Sequence, residues 1–126
     1  MKLEKQVCSL ELAKQLKELG VTQESLWVWE FADGVPSNLN AAASSGSNVY
    51  AYSAAELGGM LPCEIDDDWL RCIKSRQDGN AIWKIRYAPV GGESEYSHQE
   101  NAETEADARA KMLIYLLENK ITQPAA

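Results

Sequence analysis

A chain of 126 residues with 45% hydrophobic content is long enough to bury a core and too apolar for disorder throughout. Nineteen acids against twelve bases leave a net charge of −7, a field that repels phosphate backbones and disfavours nucleic acid as a partner. The longest apolar run, Met112 to Leu117, cannot span a membrane, and the charged N-terminus (Lys2, Glu4, Lys5) has no apolar export core, so a cytoplasmic protein without membrane contact is expected.

In chain order, Ser9 caps a first helix that runs through Leu19, with Leu12, Leu16 and Leu19 on one face and Gly20 as its stop. Leu26 to Phe31 reads as an aromatic strand. Residues 32–48, rich in Ala and Ser, read as a flexible connection. Val49 to Tyr52 is a second strand. Ser53-Ala54-Ala55-Glu56 has the form of a capping box, opening a short helix that Gly58-Gly59 and Pro62 end. Asp66-Asp67-Asp68 reads as a solvated turn. Neighbouring strand residues point to opposite faces, and the spacing of a calcium loop is missing.

Asp78-Gly79 is a two-residue hairpin signal between Leu70–Lys74 and Ile82–Tyr87. It sets Lys74 against Trp83, Cys72 against Ile85, and Leu70 against Tyr87. A second turn at Pro89-Val90-Gly91-Gly92 returns the chain as Glu93 to His98, placing Arg86 against Glu95, Ile85 against Tyr96 and Trp83 against His98. The core face then carries Leu70, Cys72, Trp83, Ile85, Tyr87 and Tyr96, and the other carries Arg71, Ile73, Lys84, Arg86 and Glu95. Thr104-Glu105-Ala106-Asp107 caps the last helix, whose buried stripe is Ala106, Ala110, Leu113, Ile114 and Leu117. The expectation is one α+β domain over 1–126. Its mainly antiparallel twisted sheet has about five strands, including a three-stranded meander over 69–98, with the N- and C-terminal helices packed on one face.

Three cysteines (Cys8, Cys63, Cys72) without Cys-x-x-Cys spacing fit free thiols, with Cys72 as a small core residue. His98 is the one side chain suited to proton transfer near neutrality, and with Trp83 and Tyr96 it marks a candidate ligand cleft. No phosphate-cradling loop, metal cluster or nucleophile–base pair is legible, so neither cofactor nor metal is expected. Four tryptophans and five tyrosines against one phenylalanine suit partly wet surfaces. Trp27 and Trp29 share one strand face while Val28 takes the other, and Tyr50 and Tyr52 share a face. These four aromatics are the candidate interface of a homodimer.

Five cations lie between Arg71 and Arg86, but Trp83 and Tyr87 alternate away from Lys84 and Arg86, so a shared grip on a nucleic-acid strand is not expected. The order strand, strand, strand, helix is similar in outline to the double-stranded RNA-binding domain, yet Glu103 to Asp107 stands where that family has basic residues, and its function is not carried over. The acidic stretch Glu93 to Asp107 offers instead a way to capture a basic protein partner.

Three segments resemble a group of small uncharacterised proteins of phages and other mobile elements: Cys8 to Val21, Ala54-Ala55-Glu56-Leu57-Gly58-Gly59-Met60-Leu61-Pro62, and Glu103 to Lys120. The resemblance implies a cytoplasmic accessory role for a mobile gene such as a phage or integron cassette, with no assigned activity. The expected function is a non-enzymatic, self-associating interaction module. The alternative is a small-molecule-binding protein or weak enzyme using the Trp83–Tyr96–His98 cleft.

Overall fold

The computed structural model describes residues 3–21, 24–32, 35–41, 49–91 and 98–123. The chain is α+β, with antiparallel sheets. In order the elements are α1 (Leu3–Gln6), α2 (Leu10–Glu18), β1 (Trp27–Ala32), β2 (Val35–Ala41), β3 (Val49–Tyr50), α3 (Ala54–Met60), β4 (Glu64–Ile65), β5 (Asp68–Gln77), β6 (Asn80–Ala88), β7 (His98–Ala102) and α4 (Glu105–Glu118). The strands form two sheets, ordered β2-β1-β3 and β4-β5-β6-β7, rather than the single expected layer. No described residue is part of a helix long and apolar enough to cross a membrane.

Local chemistry sets the helix ends. Ser9 accepts the Leu12 N–H at the start of α2, and α2 closes with Val21 N–H on the Leu16 carbonyl and Gly20 at φ 93°. That left-handed residue costs glycine nothing. The same closure ends α4, where Ile121 N–H reaches the Leu116 carbonyl and Lys120 takes φ 57°. Both arms of the Ser53–Glu56 capping box are present. Gly58-Gly59 does not end α3, which runs on to Met60. A Cβ at Gly58 would stand 2.0 Å from Arg109 Nη1, so the glycine admits the guanidinium of α4 rather than stopping the helix.

Around Thr104 the capping differs from the expected box. Thr104 Oγ1 does accept the Asp107 N–H, at 3.2 Å, but the Asp107 carboxylate does not reach back to its own helix. It accepts the Ser9 N–H at 2.7 Å, so one carboxylate of α4 caps the start of α2, across 98 positions of sequence.

The burial of α4 is wider than one stripe. Ala108, Met112 and Leu116 are buried along with Ala106, Ala110, Leu113, Ile114 and Leu117. The cause is that α4 packs on β6 and β7 and is also covered by α2 and α3, while α2 additionally contacts β3. A helix enclosed this way is apolar nearly all round.

Within β5–β6 the register is the one the Asp78-Gly79 signal requires: Lys74↔Trp83, Cys72↔Ile85 and Leu70↔Tyr87. Asp78 (φ 52°) and Gly79 (φ 83°) both sit in the left-handed region, as the primed two-residue turn demands. Asp66 (φ 48°) and Asp67 (φ 71°) make the same turn between β4 and β5, so the acidic triplet is a hairpin tip. Among the described residues, which do not include Tyr96, the expected core face holds with one exception. Ile85 and Tyr87 are buried and Leu70 and Trp83 pack against the core, but Cys72 is exposed, on a part of β5 beyond Trp69 that β4 does not flank, while α4 packs chiefly on β6 and β7.

Two expectations for the first half change. Part of the 32–48 segment is strand β2, antiparallel to β1 with a register shift between Glu30 and Phe31, where Phe31 pairs with Pro36. A proline without an N–H is tolerated at such an irregularity, and the polar run Ser37-Asn38 hid the strand from a hydrophobicity reading. Nor do both faces of β1 need a second subunit. Val28 is 2% exposed, and Trp29 packs against the core and donates its indole N–H to the Cys8 carbonyl at 3.2 Å.

Candidate ligand groove

The expected cleft of Trp83, Tyr96 and His98 does not form as a unit. Tyr96, like the rest of the predicted strand 93–97, lies outside the described residues. His98 opens β7 and stands opposite Tyr87, while Trp83 stands opposite Ala102 at the far end of the same ladder. Four residues of strand separate the two partners, about 13 Å at ~3.3 Å per residue. Arg86 likewise faces Gln99 and Ile85 faces Glu100, in place of Glu95 and Tyr96. A tight turn at Pro89 would have given the expected pairing. The observed pairing of β7 falls four residues later. The slip is even, so it leaves His98 on the helix-covered face.

There the His98 ring stacks on Tyr115, centroids 3.5 Å apart and planes 4° from parallel. Its Nε2 bonds Glu100 Oε2. A shallow depression of about 330 Å³ adjoins this cluster, lined by Leu12, Gln15, Glu100, Lys111, Ile114, Tyr115 and Glu118. Glu100 orients the imidazole, and Tyr115 covers one of its faces. No group of three or more metal-ligating side chains occurs among the described residues.

Trp83 belongs to a larger feature. The β7 ladder stops at Trp83, whereas β5 and β6 continue together to Gln77 and Asn80. The hairpin therefore outruns both β7 and the start of α4, and its inner face past Trp83 is left without a helix. A groove of about 690 Å³ fills this space. Lys74, Asn80, Ala81 and Trp83 form the hairpin wall; Lys5 and Gln6 of α1 with Ser53, Ala54 and Ala55 of the α3 start form the opposite one; Glu103 to Ala106 close the floor. Its size falls in the range of small-molecule sites.

The electrostatics are mixed. Lys74 Nζ lies 5.5 Å from the centre of the Trp83 ring, within cation–π reach. Glu105 pairs with Arg109, one helical turn on, at 2.5 Å, and Arg109 also donates to the Ala54 carbonyl at 3.2 Å. Cys72 Sγ lies 3.7 Å from the same Glu105 carboxylate, and the partial burial of this otherwise exposed residue, then that carboxylate, push its thiol above the ordinary value. Cys8 is farther from reactivity still, pushed up to about 12 chiefly by burial. Neither thiol is activated as a nucleophile.

Of the four expected interface aromatics, Tyr52 is 2% exposed within the chain's own core. Trp29 and Tyr50 are half-buried and packed against that core, Tyr50 tilted against Tyr52 at 6.0 Å, and Trp27 is half-buried beside Leu26, which is 74% exposed. The acids expected to capture a basic partner are partly engaged within the chain: Glu100 with His98, Glu105 with Arg109 and Asp107 with Ser9. Lys84 and Arg86 alternate onto the sheet face opposite Trp83 and Tyr87.

Sequence reasoning found Trp83 and its Lys74 neighbour. It missed Lys5, Gln6, Ser53 and Thr104, whose proximity depends on packing between distant elements. The two capping motifs at Ser53 and Thr104 were the sequence signal available, and they placed both helix starts without saying that the starts meet. Comparison with protein-family models, with curated proteins and with solved structures found no match.

Proposed function

We propose that this chain is a non-enzymatic accessory module that binds a small molecule in the groove beneath Trp83. The supporting observation is the overhang of the β5–β6 hairpin past α4, which leaves Trp83 facing a drug-sized space lined by lysines and small residues. An aromatic wall with a few polar groups favours retention of a ligand, and neither Cys8 nor Cys72 is poised as an activated nucleophile. The mobile-element accessory role implied by the resemblance is the biological setting of this reading. A thermal-shift screen of a small-molecule library tests it. Reproducible stabilisers should appear whose effect is lost in Trp83→Ala and kept in His98→Ala; stabilisers lost only in His98→Ala would move the site to the shallow depression beside Tyr115.

Self-association is a second reading, favoured by the exposure of Leu26 next to half-buried Trp27 at the start of β1. Burying a leucine and part of an indole against a symmetry mate removes apolar area from water without disturbing the core. Sedimentation at increasing concentration should show a dimer that Leu26→Asp disperses. A strict monomer at all concentrations removes this reading and leaves the groove untouched.

A further inference from the structure

We propose that the ligand of the groove is a small monoanion with a flat apolar body, of the aromatic carboxylate class; the inference rests on the groove being the binding site.

Three observations select this chemistry. The first is the wall: Trp83 gives a planar apolar surface, and Ala81 beside it is too small to block a ring laid against the indole. The second is the supply of donors. Lys74 and Lys5 reach the groove from opposite walls, and both cap residues line it as well. Ser53 Oγ accepts the Glu56 N–H at 3.2 Å, and Thr104 Oγ1 accepts the Asp107 N–H at 3.2 Å. A hydroxyl used this way as an acceptor keeps its own proton to donate. The groove therefore presents two ammonium groups and two hydroxyls to a ligand rich in acceptors.

The third observation limits the charge. Glu103 stands on the floor, and Glu105 next to it has its charge met by Arg109 rather than by a lysine. A phosphate or dicarboxylate would bring its second negative charge against Glu103, whereas one carboxylate can sit between the lysines. A cationic ligand would have Glu103 but would meet two ammonium groups, Lys74 and Lys5, in the same groove.

The test uses naphthalene-2-carboxylate, its neutral carboxamide and naphthalen-2-ylmethylamine, three bodies of one shape differing in charge. Titrations are followed through the Trp83 indole N–H in nitrogen–proton correlation spectra, assigned with Trp83→Phe. A partly exposed lysine–carboxylate pair is worth up to about fivefold in affinity, so the acid should bind about fivefold tighter than the amide, and the amine weakest. Lys74→Met, at an exposed position, should bring acid and amide within about twofold of each other. Equal binding of acid and amide, or tightest binding of the amine, with the Trp83 signal still moving, overturns the ligand class and leaves the groove as a site. If none of the three moves the Trp83 signal, both the class and the groove reading fall.

Discussion

Replacing Glu56 by alanine is expected to lower the melting temperature by about 10 °C, from a loss of about 3 kcal/mol. One oxygen of this carboxylate takes the Ser53 N–H at 2.9 Å and the Ser25 hydroxyl at 2.8 Å; the other takes the Leu26 N–H at 3.1 Å. The side chain therefore closes the α3 capping box and also anchors the entry to β1, two tasks on elements about thirty positions apart. Ser25 is 7% exposed, so truncation leaves its hydroxyl with the Ala51 carbonyl at 3.2 Å as acceptor, while the Ser53 and Leu26 N–H groups must find water. Glu56→Gln keeps the shape but turns an NH₂ toward one set of donors, and is expected to cost about 1 kcal/mol. Glu11→Ala, an exposed acid in the first turn of α2, is the control and should leave the melting temperature nearly unchanged. An alanine variant at position 56 that melts within about 3 °C of the parent would show that water and the Ala51 carbonyl replace the three bonds at no cost.

Features written within a few residues of each other were readable. Ser9, Ser53 and Thr104 each cap the helix they were expected to cap, because a cap is decided by a side chain and a backbone N–H three residues on. The β5–β6 register followed from Asp78-Gly79, since a two-residue primed turn leaves no freedom in the pairing. The β6–β7 register failed for the opposite reason. Nothing in Pro89 to Gly92 says how far the chain travels before pairing resumes, and a run of alternating polar residues pairs as well four places later.

The same distinction explains the site. Trp83 was singled out as an aromatic at the end of a strand pair, and it does line the groove, but its neighbours come from α1, the α3 start and the α4 start. Those contacts depend on the enclosure of α4 between the sheet and α2 and α3, which a single buried stripe did not disclose. The Asp107–Ser9 bond belongs to that enclosure. Read locally, Asp107 completes the box of its own helix; in the fold it accepts the backbone N–H of Ser9, the residue that caps α2.

Raising the pH above about 9 is expected to destabilise the chain in two stages, first through Cys8 and then through Tyr52 and Tyr87. Burial lifts the Cys8 thiol from 9.0 to about 12. Burial likewise lifts both tyrosines well above 10.0, with the nearby Cys8 adding to the effect on Tyr52 and Cys63 to that on Tyr87. The Tyr87 hydroxyl also donates to the Pro62 carbonyl at 2.7 Å, a bond that exists only while the proton does. In the unfolded chain these groups ionise at their ordinary values, so above them the unfolded state binds fewer protons than the folded one. The stabilising contribution is thus complete below pH 9 and is lost as pH climbs toward the folded values, at about 1.4 kcal/mol per pH unit for each group. Cys8 acts alone up to pH 10; by about pH 11 the three together remove about 5 kcal/mol, the whole stability of a marginal domain. Urea unfolding midpoints should fall steadily over this range. Cys8→Ala should flatten the limb between pH 9 and 10, and Tyr52→Phe should reduce the slope only above 10. A midpoint unchanged between about pH 8 and 10.5 would mean that the Cys8 thiol ionises as easily inside the fold as outside it, and that its enclosure between Val7, Tyr52 and α4 opens at little cost.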